Sequence, residues 1–409
     1  MDVLEKAFLE AYSGAMYEVF TDLIAKKFAA AGVTLTVRER ARLTELLQSD
    51  RLEELRLRRW PWWVDRKIDI EVPEEEVAAI GRRFEKFADE GLANLVVSAA
   101  KDTSVLVLKA LDADWPRQAR SEERARRGFD KRLQRLWGSG LDRLAMFLTI
   151  AREFGEVEST RLSREDGFDR PVLLDVTSRL HARACQVTDE VLCLLSHGFA
   201  DGAMARWRTL HEIAVVALFL QQHDEGLAER YVDHEVVESY KAAHEYQDYV
   251  DRLGVEPIDG AELEEIDHAF EEALGRYQAP FKKRYGWAAE VLGPDPQFCH
   301  IEKAARIDHL RGYYRLASHN VHANPKGVFF RLGLLEESDI LLAGASTAGL
   351  AEPGHASAIS LLQVCSALGT IAPNLDSLVC LDVLLELSDR IGQAFSDAEA
   401  ELHVRVAGE

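Results

Sequence analysis

The chain has 409 residues, enough for two domains or three. A hydrophobic share of 47% and a charged share of 29% exclude global disorder. No apolar run approaches the roughly 18 residues of a membrane span, and the opening MDVLEKAFLE mixes acids with apolar residues, so neither a spanning helix nor a signal peptide is expected.

The net charge of −21 is uneven. Residues 1–150 carry 26 basic and 26 acidic side chains, whereas residues 151–409 carry 23 against 44. An acidic region repels phosphate backbones, so the neutral N-terminal part is the better place for a polyanion or a protein partner to dock. All 13 histidines lie between His181 and His403. The five cysteines, Cys185, Cys193, Cys299, Cys365 and Cys380, form no CxxC pair. They are expected to be reduced core thiols of a cytoplasmic protein.

In chain order, apolar residues at helical spacing predict a helix over 2–31, with Val3, Ala7, Ala11, Ala15, Val19 and Leu23 on one face. A shorter helix follows over 37–47. RLRRWPWW, Arg56 to Trp63, breaks at Pro61, and KIDIEV, Lys67 to Val72, alternates like a short strand. Helix returns over 74–111, with acids in its first turn, and again over 133–154. Between them, Arg117 to Arg135 interleaves arginines with Glu122, Glu123 and Asp130 and reads as a solvated helix with i,i+4 pairs. The polar stretch Gly155 to Pro171 is the expected boundary between an α-rich N-terminal domain (1–155) and a C-terminal helical bundle (170–409).

Beyond the boundary, helices are expected over 172–197, 202–223 behind a cap at Asp201, 225–252, 261–276, 301–320, 355–370 and 375–402. Gly327 to Leu335 and Ile340 to Gly344 are expected to pair as a small β-hairpin. The fold class is all-α, a bundle with one β excursion.

The chemistry concentrates in YYRLASHNVHANPKG, Tyr313 to Gly327, where Arg315, His319 and His322 fall at i, i+4 and i+7. Arg208 and Glu212 are four apart on the second bundle helix, and the third supplies Tyr231, His234 and Glu238. Buried polar groups need partners, so these form the expected supporting cluster. RWRTLHEI, RYVDHEVVESY and YRLASHNVHA together resemble a bacterial family of helical proteins known only as a domain of unknown function. The resemblance covers about residues 170–335 and implies a helical fold without an activity.

A looser resemblance is to the HEPN-type ribonucleases of bacterial toxin and phage-defence systems, whose signature is an arginine four to six residues before a helix-end histidine. Arg315 and His322 enclose six residues, with Leu316 where the family usually has a polar side chain. The resemblance implies metal-independent cleavage of RNA at a homodimer interface. Arg315 would stabilise phosphate charge and His322 would exchange the proton.

Two readings stand beside it. One is a non-catalytic sensor or scaffold in which the polar groups hold helices together. The other is a His/Glu metal site using His234 with Glu238 or His319 with His322, although no ExxH pair or HExxH motif is present. No cofactor and no metal is expected from motif, since P-loop, GxGxxG and GxSxG are absent.

Overall fold

A computed structural model describes residues 2–49, 70–322, 325–329, 331–334 and 341–407. Every regular element among them is helical. The chain divides into two compact units, 1–120 and 121–409. Within the described residues no helix is long and apolar enough to cross a membrane.

In the first unit, α1 (Asp2–Ala30) and α2 (Val37–Gln48) close on a small core of Ala25, Leu35 and Leu43. Thr36 caps α2 through a capping box with Glu39, which fixes where that helix starts. The long helix α3 (Glu74–Ser163) begins in this unit and ends in the second. The two helices expected on either side of the arginine run are thus one. Pairs such as Asp114–Arg117 (2.8 Å) and Glu123–Arg127 (3.4 Å) line the solvated stretch between them. The tryptophan-rich stretch at 56–63 and the first half of KIDIEV lie outside the described residues; Ile70 to Val72 is not strand.

The second unit is built around α5 (Ala200–Gln221), which buries Trp207, Leu210, Ala214 and Phe219 against α4 (Pro171–Ser196), α11 (Arg311–Val321) and α13 (Ala351–Gly369). A helix apolar on most of its circumference belongs in the centre of a bundle. The last part of α3 and the final helix α14 (Leu375–Ala407) complete the same core through Trp137, Leu144, Phe147, Leu384 and Ile391. The Trp137 Nε1–H donates to the Thr347 carbonyl (2.8 Å) and the Trp207 Nε1–H to the Ala356 carbonyl (3.0 Å), so each large ring buries its polar atom satisfied.

Three expected elements resolve differently. The segment 225–252 splits at His234 into α6 (Glu225–Asp233) and α7 (Glu235–Leu253), followed by α8 (Gly260–Tyr277) and the single turn α9 (Ala289–Leu292). The segment 301–320 becomes α10 (Phe298–Ala304), a 3-10 turn at Asp308–Leu310, and α11, with Arg306 in the left-handed region at φ 61°.

The expected hairpin is not formed. Pro325–Phe329 is instead the short helix α12, and residues 331–334 and 341–344 contain no strand. One backbone group of the expected first strand is used elsewhere: the Leu332 N–H donates to Asp201 Oδ1 (3.0 Å), and just beyond the second, the Ser346 N–H donates to the Gly198 carbonyl (2.9 Å). Asp201 therefore ties this returning chain to the start of α5 rather than capping the helix, whose N-cap is Phe199.

Candidate functional site

Helix α11 is fixed to α5 and α10 by two side-chain networks that share the Tyr314 ring. In the first, the Tyr314 hydroxyl donates to Glu212 Oε1 (2.5 Å) and accepts from Arg208 Nη2 (2.8 Å), while Arg208 and Glu212 pair directly at 3.1 Å. In the second, the fully buried Glu302 carboxylate takes Arg311 Nη1 at 2.5 Å and His211 Nε2 at 3.0 Å. Both guanidinium groups lie over the Tyr314 ring, Arg208 at 4.9 Å and Arg311 at 5.3 Å from its centroid. Burial and the bond to Glu212 push the Tyr314 hydroxyl up to about 12, which keeps it a donor. His211 is itself fully buried, and its Nδ1 has no hydrogen-bond partner.

Arg208 and Glu212 therefore come together, but with Tyr314, Arg311, His211 and Glu302 rather than with the other expected site residues. Arg315 projects from α11 as an exposed side chain, and His319 is half-buried. The helix ends at Val321, and His322 follows with extended dihedrals (φ −107°, ψ 140°) and an exposed side chain. His322 thus caps the C-terminus of the helix, its N–H donating to the Ser318 carbonyl.

His234, Tyr231 and Glu238 belong to a different corner. The His234 Nε2–H is shared between the Phe281 (3.1 Å) and Lys283 (2.9 Å) carbonyls, and burial lowers its pKa. Tyr231 meets Trp287 edge-on at 5.0 Å, and Glu238 pairs with Lys241 on the surface (3.1 Å). These residues hold the break between α6 and α7 against the Phe281 turn. Among the described residues no three His, Cys, Asp or Glu side chains are placed to hold one metal ion.

The charge around α11 departs from its surroundings. Residues 298–331 carry six basic side chains, Lys303, Arg306, Arg311, Arg315, Lys326 and Arg331, against Glu302 and Asp308, inside a half of the chain that is strongly acidic. Five of the six cations are exposed, as is Asp308, while Glu302 is buried. Four histidines, His300, His309, His319 and His322, lie in the same stretch.

A concave feature runs between α3 and α4, a groove of about 540 Å³ bounded by the Arg152–Asp189 pair (2.7 Å) and the Ser159–Ser178 hydroxyl pair (2.8 Å). Its floor is His181, 4% exposed, with only thiols beside its ring nitrogens: Cys365 Sγ at 3.4 Å and Cys185 Sγ at 3.9 Å. Burial drops His181 to about 4 and lifts Cys185 to about 11, so both are uncharged at neutral pH. Cys185 and Cys365 are core thiols as expected; Cys193 and Cys299 are exposed, which corrects the expectation for those two.

No curated protein and no solved structure matches the chain. Residues 174–339, from within α4 through the whole α11 region, match the model of a family of unknown function (DUF5677), so this part of the chain carries the pattern of an uncharacterised domain family.

Proposed function

We propose that the surface formed by residues 298–331 binds a phosphate-bearing ligand, with RNA as its sharpest form. The observation that carries this reading is the local reversal of charge: five exposed cations against one exposed acid, Asp308, on an otherwise acidic half, with Glu302 buried and already paired. A basic patch of this kind attracts a polyanion through counterion release and concentrates it at the surface. The exposed Arg315 and His322 are the groups that would meet the phosphate.

In the ribonuclease form, His322 takes a proton from a 2′-hydroxyl or returns one to the leaving oxygen, and Arg315 stabilises the charge that builds on the phosphorus oxygens. A place in bacterial defence follows from that form alone. The test is RNA integrity and growth on expression: intact RNA and equal growth for wild type and His322→Ala would remove the cleavage step. Phosphate binding would remain to be judged separately.

A second reading, a non-catalytic interaction protein, is favoured by the pairing of Arg208, Glu212 and Tyr314 with one another. In the proposed site they position α11 and take no part in contact with the ligand.

A further inference from the structure

Residues 103–118 of α3 are exposed at every position, around the whole circumference of the helix. The part from 105 to 111 is mainly apolar. Val105, Leu106, Val107, Leu108, Leu111 and Trp115 are between 46% and 67% exposed, with Lys109 the one charge between Val105 and Leu111. Surface helices carry polar residues toward water, and helices apolar all round are found packed inside something larger.

We infer that this band is where a second copy of the chain packs, helix against helix in antiparallel order. The spacing favours that occupant. Ser104, Leu108, Leu111 and Trp115 follow the 4-3-4 rhythm of a helix seam. Set antiparallel about a two-fold axis, Leu108 lies across from Leu111 of the other copy, and the small Ser104 lies across from the large Trp115. The band is therefore complementary to itself, as an isologous contact requires. Asp112 and Asp114 flank the seam and would form its polar rim, while Lys109 stands on the face away from it. Pro116 removes one helical N–H beside the seam, a second reason for this stretch to gain from an external support.

The experiment is sedimentation velocity on the full chain, with Leu108→Glu, Leu108→Ala and Lys109→Ala beside wild type, and circular dichroism to follow helix content. Wild type and Lys109→Ala should sediment as a dimer. Leu108→Glu should be a monomer with unchanged helicity. Leu108→Ala should dissociate at a concentration roughly tenfold higher or more. Should Leu108→Glu lose its helices, Leu108→Ala decides. A monomeric wild type, or equal dissociation constants for wild type and Leu108→Ala, overturns the inference.

Discussion

Two faces of α11 carry similar side chains in opposite settings. On one, Arg311 and Tyr314 are locked into networks with Glu302, His211, Arg208 and Glu212. On the other, Arg315 stands in solvent, as does His322 just past the helix. An arginine whose hydrogen bonds are committed to buried carboxylates holds a helix in place. One whose donors face water is available to a ligand. The residue type does not separate these roles; the neighbour does.

Breaking the buried face should have the largest effect. Removing one partner of a buried ion pair strands the other, at a cost of about 3–5 kcal/mol. Glu302→Ala is therefore expected to destabilise the protein by that order in urea unfolding, since Arg311 and His211 both lose their acceptor. The exposed Arg390–Glu386 pair is the control: Glu386→Ala should change stability by about 0.5 kcal/mol or less.

Acidification gives the next effect. The folded chain holds His181 neutral down to about pH 4, whereas the unfolded chain takes up that proton near pH 6.5. Between those values the unfolded state binds more protons, so stability falls as pH falls, by about 1.4 kcal/mol per unit from this group. Thermal unfolding of His181→Gln should show a shallower loss between pH 6.5 and pH 4 than wild type. Parallel curves would remove His181 as the cause.

A smaller change is expected at the crossing of α3 and α4. A Cβ at Gly155 would sit 2.3 Å from His181 Cε1, so Gly155→Ala should destabilise by about 1–3 kcal/mol. Helix propensity alone favours alanine by up to about 1 kcal/mol, so a net loss isolates the close contact. Tyr314→Phe is smaller still. It removes the hydroxyl between Arg208 and Glu212 but leaves their direct pair, and about 1 kcal/mol is expected in the same unfolding assay. Arg315→Ala should leave stability within about 0.5 kcal/mol, as exposed positions do.

Much of the bundle was legible in the sequence. The helices over 172–197, 261–276 and 375–402 follow from apolar periodicity, and the structure places them within a few residues. Periodicity does not report where a side chain borrows a distant backbone. His234 marks the break between α6 and α7 and reaches the Phe281 and Lys283 carbonyls, and Asp201 accepts from Leu332 where a strand was expected. The pairing of Arg208 with Glu212 was visible as i,i+4 spacing, but Tyr314, more than 100 residues on, was not. Glu302 carries a faint signal, as one of two acids in a basic stretch. Its burial beside His211 depends on how α10 packs on α5, which no local pattern encodes.

The exposed face of α11 is the proposed phosphate-binding surface, and equilibrium binding tests that most directly. A fluorescent single-stranded RNA should bind the full chain with an affinity that falls linearly in log–log terms as salt rises from about 50 to about 200 mM. Arg315→Ala should bind more weakly with a salt slope reduced by roughly one contact, and Glu386→Ala should match wild type. No binding at the lower salt, or equal affinity and slope for wild type and Arg315→Ala, contradicts the account.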